Sequence, residues 1–136
     1  MRLVFVDTSG FYASMVEEDE NHRRARELFT LAQRESWQLA TTNTVVVEAH
    51  ALFLHRCRPG RETALKFLDA VYGDAYDVIR VNRDDEAKAI ELIIAHRDKT
   101  YSLCDALSFV VMERLQIREA ISFDRDFRSY GRFALL

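Results

Sequence analysis

Residues 3–6 form a continuous apolar run closed by Asp7-Thr8-Ser9-Gly10. Such a run fits a strand covered on both faces, as in a parallel sheet, and Thr8 or Ser9 is placed to cap a helix running through Val16. After a charged loop over residues 17–21, Ala25, Leu28, Phe29, Leu31 and Ala32 recur at helical spacing to about Ser36. Residues 37–41 predict a second strand. Asn43 then stands as the N-cap of a helix from Thr44 to about Cys57, stopped by Pro59, the only proline. A further amphipathic helix carrying Ala64, Leu65, Phe67, Leu68 and Val71 ends near Gly73. Strands at 76–81 and 120–123 and helices at 84–96 and 102–116 follow, with an edge strand at 133–136.

Short apolar strands alternating with helices of ten or more residues predict an α/β fold with helices on both sides of a central, mainly parallel sheet. No linker, repeat or low-complexity stretch interrupts residues 1–136, so a single domain is expected. In such sheets ligands gather beyond the carboxyl ends of the strands, where the strand order switches direction. Chemistry is therefore sought just after strands and at the helix starts that follow them.

The chain is ordinary in composition: 136 residues, 49% of them hydrophobic, with 22 acids against 19 Lys and Arg for a net charge of -3. One core of this size needs no disulfide or structural metal. Cys57 and Cys104 lie far apart without a CxxC pairing, which suits a reducing, cytoplasmic setting. The opening apolar run is too short for a signal peptide, and no apolar stretch approaches the roughly 18 residues of a membrane span. Taken alone, the acidic excess argues against a nucleic-acid partner.

The placement of individual acids changes that picture. Asp7 and Asp124 each directly follow a strand, and Asp126 stands two residues further on. Glu48 has Thr44, Val45, Ala51 and Leu52 as helical neighbours, so it is expected to face the core with a charge, metal or cleft beside it. Asp105 opens a helix that is apolar almost all round, where Ser102 and Asp105 also have capping-box spacing. Each acid alone has a plain structural explanation as a cap or a solvated turn. Their order along the chain is more specific.

The succession Asp7-Thr8-Ser9, Thr42-Asn43-Thr44-Val45-Val46-Val47-Glu48, Ser102-Leu103-Cys104-Asp105-Ala106-Leu107-Ser108-Phe109 and Ile121-Ser122-Phe123-Asp124-Arg125-Asp126-Phe127 resembles the PIN-domain nucleases, most of all their VapC-type toxin ribonucleases. The resemblance spans nearly the whole chain, including the Asn21-His22 turn. It implies a PIN-like three-layer α/β/α sandwich. It also implies Asp7, Glu48, Asp105 and Asp124 as the acidic site residues, with Asp7 and Asp105 the most direct metal ligands and Asp126 an additional or substitute acid. Thr8, Ser9, Asn43 and Ser122 sit beside these positions to order waters or hold the ligands. Homodimerisation is implied too, as is an antitoxin partner that occludes the site; no dimer patch stands out in the sequence, and the apolar helices from Thr44 to Gly73 are a candidate interface. Cys104 departs from the family, where Thr is common before the third acid, and places an oxidisable thiol beside the site.

Clustered carboxylates raise one another's pKa unless a cation neutralises them, and oxygen-only ligands select hard ions, Mg²⁺ first and Mn²⁺ as a substitute. Such a site suits hydrolysis at phosphorus, leaving a 5′-phosphate and a 3′-hydroxyl, with one ion or two. Arg56, Arg58, Arg61, Arg125 and Arg128 are the candidates to meet RNA phosphates, each with a solvated surface charge as its alternative and most better read that way, and Tyr12 or Phe11 are candidates to stack a base, although the core also claims Phe11. The histidines show no zinc spacing, and no GxSxG, GxGxxG or Walker loop is present. The alternatives are a PIN-like module that binds RNA or protein without turnover and, less well matched, a phosphotransfer domain, which lacks its acidic pair and late lysine. Assigning four of the 22 acids to one metal cleft leaves 18 against 19 bases, so the acidic total no longer counts against an RNA substrate.

Overall fold

The computed structural model describes all 136 residues. The first strand, β1 (Leu3–Val6), lies at the centre of a five-stranded sheet and is followed by helices α1 (Thr8–Met15) and α2 (His22–Arg34). Then come β2 (Gln38–Thr42), α3 (Asn43–Arg56), α4 (Gly60–Val71), β3 (Tyr76–Ile79), α5 (Arg83–Ala95), α6 (Leu103–Arg114), β4 (Glu119–Ile121), α7 (Arg125–Tyr130) and β5 (Ala134–Leu135). Every strand pair is parallel and the order is β3-β2-β1-β4-β5. The expected mainly parallel sheet is thus entirely parallel.

This order fixes where a site can form. The chain moves outward from β1 to β2 and β3, then returns past β1 to β4 and β5. Right-handed crossovers consequently place α1 to α4 on one face and α5 to α7 on the other, which yields the three layers. The switch lies between β1 and β4, and the crevice beyond their carboxyl ends is where Asp7 and Asp124 emerge.

Aromatic packing holds both helical layers. Phe11 and Phe53 each meet Phe67 edge-on or tilted, at 5.0 and 5.1 Å, on the α1–α4 side. On the other side Phe109 stacks on Tyr130 at 4.2 Å and meets Phe127 edge-on at 4.8 Å. Gly10 lets α1 approach the end of β4, since a Cβ there would lie 2.6 Å from the Ile121 carbonyl oxygen. Behind the sheet, the fully buried Asp85 takes Nε and a terminal nitrogen of Arg114 at 2.9 and 2.8 Å, fastening the start of α5 to the end of α6. No helix is long and apolar enough to cross a membrane.

One helix cap is decided between its alternatives and one is corrected. Asp7, rather than Thr8 or Ser9, caps α1: its Oδ1 accepts the Gly10 N–H at 3.0 Å. Thr42, rather than Asn43, caps α3 through the Val45 N–H, because Asn43 is already inside the helix. The Asn43 side chain instead accepts the Val81 N–H at 2.9 Å and ties α3 to the segment after β3.

Candidate active site

Beyond the ends of β1 and β4 lies a cleft of about 350 Å³, lined by Asp7, Glu48, Asp105 and Asp124 together with Thr8 and Ser9. The four acids picked out from the sequence therefore converge. Asp105, Asp124 and Asp126 form the tightest group, with one carboxylate oxygen from each lying within 4.8 Å of the others. Asp126 reaches it because Asp124 caps α7 through the Asp126 N–H at 3.0 Å, bending the chain back toward α6.

Asp7 is buried in the same cleft, outside this tight group, and its carboxylate is held on both sides. Oδ1 accepts the Ser9 hydroxyl at 2.7 Å and the Gly10 N–H, while Oδ2 accepts the Ser122 hydroxyl at 2.8 Å. Ser9 and Ser122 in turn accept the backbone N–H groups of Phe123 and Asp124, at 2.8 and 3.2 Å. Two serines thus lock the end of β1 to the end of β4. Oδ2 keeps a lone pair free for a further ligand.

Glu48 corrects an expectation. It does not face the core; it stands exposed at the lip of the cleft, where its Oε1 accepts the Thr8 hydroxyl at 2.5 Å. The core face of α3 is Val45, Val46, Ala49 and Phe53. The acid needs no buried partner because the helix turns it toward water and the other acids.

The electrostatics follow from burial and crowding. Burial foremost, with some repulsion from Asp124, raises Asp7 to about 7, against the hydrogen bonds from Ser9, Gly10 and Ser122. Burial, then the charges of Asp124 and Asp126, raise Asp105 to about 6, although the Ser102–Asp105 capping box pulls the other way. Arg56 is the one Lys or Arg among the lining residues. An oxygen-only cluster whose burial and mutual repulsion favour protonation unless a cation neutralises it is the donor set of a hard divalent cation, so these residues fit Mg²⁺ or Mn²⁺.

The other expected residues divide. Tyr12 lines the cleft, but Phe11 is core, packed against Phe29, Phe67 and Tyr76. Arg58 lines a neighbouring groove, whereas Arg61, Arg125 and Arg128 are exposed and do not line the cleft. Asn43 is spent on Val81 and does not line it either. Cys104 is half-buried; burial, then the charges of Glu48 and Asp105, push its thiol far up, which keeps it protonated. Three polar lining residues, Asp19, Asn21 and Ser108, were given no site role from the sequence. Ser108 carried a signal, being a polar residue three positions after Asp105 in an otherwise apolar helix, whereas Asp19 sits in an acidic run that gave none.

A model of the PIN domain matches residues 4–132. The chain belongs to the PIN-domain family. Within that family it is of the VapC type: the 23S rRNA-specific endonuclease VapC20 of Mycobacterium tuberculosis is 32% identical over 129 residues, 95% of each chain. The crystal structure of that protein, described as a sarcin–ricin loop cleaving toxin, matches this PIN domain with a TM-score of 0.88 at 31% identity, covering 97% of this chain and 98% of that one. The PIN fold alone is shared with VapBC2 from Rickettsia felis bound to a promoter DNA fragment (TM-score 0.70, 11% identity, 98% and 97% covered). The same holds for a toxin–antitoxin complex from Klebsiella pneumoniae (TM-score 0.66, 14% identity, 96% and 95% covered).

Proposed function

We propose that this PIN domain is a Mg²⁺-dependent endoribonuclease, with Mn²⁺ able to substitute, acting in the cytoplasm as the toxin half of a toxin–antitoxin pair. The convergence of Asp105, Asp124 and Asp126 on one point at the sheet's switch, with Asp7 fixed in the same cleft, carries the reading. A divalent cation there supplies charge stabilisation at phosphorus and a water of lowered pKa. Asp105, Asp124 and Asp126 would hold it, with Oδ2 of Asp7 as a further ligand. Glu48, held by Thr8 at the lip, is positioned to orient the attacking water and take its proton. Thr8, Ser9 and Ser122 keep these carboxylates in place, and Arg56 meets the substrate phosphates beside them.

The substrate is RNA, and the relationship to an enzyme specific for 23S rRNA makes the sarcin–ricin loop the first RNA to test. The cognate antitoxin would cover the cleft. A homodimer would form through α3 and α4, which expose Val47, Leu54 and Leu65, with Tyr72 exposed just past α4. The test is the chemistry of the cut: 23S rRNA incubated with the protein and Mg²⁺ should yield discrete fragments whose new ends are 5′-phosphate and 3′-hydroxyl. Ends carrying a 2′,3′-cyclic phosphate would overturn the hydrolytic reading, because they require attack by the RNA's own 2′-hydroxyl.

A further inference from the structure

Beside the catalytic cleft runs a second groove, about 520 Å³ in volume, to which the hydrolysis described above gives no role. Tyr12 and Arg56 line both, so the two depressions adjoin with these side chains between them. The groove also takes Glu17 and Glu18 from the turn between α1 and α2, and Arg58 from the turn between α3 and α4. Tyr12 is fixed, its ring stacked on the buried Phe53 at 5.7 Å and 20°. The charges are not spent on one another: none of Glu17, Glu18, Arg56 or Arg58 has an ion-pair partner.

Opposite charges, exposed and unpaired in one groove, match a ligand that is anionic at one end and donates hydrogen bonds at the other. The volume lies within the few hundred to about 1,000 Å³ of small-ligand sites. A nucleotide has this polarity, with its phosphate facing a cation, its ring facing an aromatic wall and its base edge offering N–H groups. A phosphate at Arg56 also lies where the groove meets the acids of the cleft, as the neighbour of a scissile bond must.

We propose that this groove holds the nucleotide flanking the scissile phosphate, with Arg56 on a phosphate, the base against Tyr12, and Glu17 or Glu18 accepting hydrogen bonds from the base edge. Guanine fits best, because its N1–H and N2 amino group donate side by side to one carboxylate, whereas uracil has a single N–H there. The acidic turn is then a specificity element and not a repulsive rim. As a subsite for cleavage the inference rests on the endoribonuclease reading; as a binding site it is tested without turnover.

The experiment titrates GMP, IMP and UMP into the ¹⁵N-labelled, metal-free protein and follows its amide resonances. GMP should shift Tyr12, Glu18 and Arg56 and bind roughly tenfold more tightly than UMP, with IMP, which lacks the N2 amino group, between them. Glu17→Gln/Glu18→Gln should bring GMP down to the UMP level with the rest of the spectrum unchanged, and Arg56→Gln should weaken all three. Equal affinity for GMP and UMP, or GMP shifts that bypass these residues, would overturn the proposal. A second arm sequences the cut ends of a hairpin RNA with a randomised loop. Guanine should be enriched at one fixed position beside the cut and lose that enrichment in the double variant; cleavage without base preference overturns the subsite. Selective GMP binding by a protein that cuts no RNA with Mg²⁺ or Mn²⁺ would leave the binding site standing and sink the nuclease reading instead.

Discussion

At the residue scale the most consequential group is Asp7, a carboxylate placed out of water yet surrounded by donors. Its value near 7 in the fold, against 3.8 ordinarily, means that folding favours the protonated form. The stability this contributes is complete below the ordinary carboxylate value and is lost as pH rises through about 7, an effect on the order of 4 kcal/mol. Asp105, raised to about 6, acts in the same direction. The metal-free protein should therefore show a melting temperature that falls between about pH 4 and pH 7 and levels off above, and Asp7→Asn should flatten much of that fall. Saturating Mn²⁺ should recover the loss, since the ion stabilises the ionised forms. A melting temperature independent of pH over this range would contradict the assignment. Asp126 makes a separate prediction: Asp126→Asn should weaken Mn²⁺ binding, measured by calorimetry, by roughly tenfold or more, whereas unchanged binding would remove it from the ligand set.

At the scale of elements, the site depends on how closely three helix starts approach the switch point. Gly10→Ala would drive a Cβ into the Ile121 carbonyl, which is backbone and cannot rotate away. It should move α1 off β4 and disturb both serine links, so thermal stability and Mn²⁺ affinity should fall together. Arg114→Ala would leave the fully buried Asp85 without its cation and cost about 3 kcal/mol or more in denaturant unfolding. The strands and the acids that follow them were legible in the sequence because apolar runs buried on both faces end abruptly at the polar crevice. The setting of Glu48 was not. Helix α3 is apolar on more than one side, with Val47 and Leu54 exposed while Val46 and Phe53 are buried, so periodicity cannot tell which stripe meets the core. Nor could local spacing reveal the Asp85–Arg114 pair, whose members are 29 residues apart, or show that the cap of α3 falls on Thr42, one residue before the expected Asn43.

At the scale of the whole molecule, the proposed function has a chain of net charge -3 meet a polyanion by concentrating its acids where a cation would answer them. The apolar residues exposed on α3 and α4 give the second molecular prediction. Light scattering should find a dimer, and Val47→Glu/Leu65→Glu should give a folded monomer; a wild-type monomer at tens of micromolar would exclude that interface. The central claim, that the clustered carboxylates hold the ion that cuts RNA, is tested most directly by cleavage of 23S rRNA with Mg²⁺, comparing wild type with Asp105→Asn in equal, folded amounts. Wild type should give discrete fragments that vanish in excess EDTA, and the variant should be slower by at least about 100-fold. Cleavage that persists in EDTA, or proceeds equally in the variant, would contradict it.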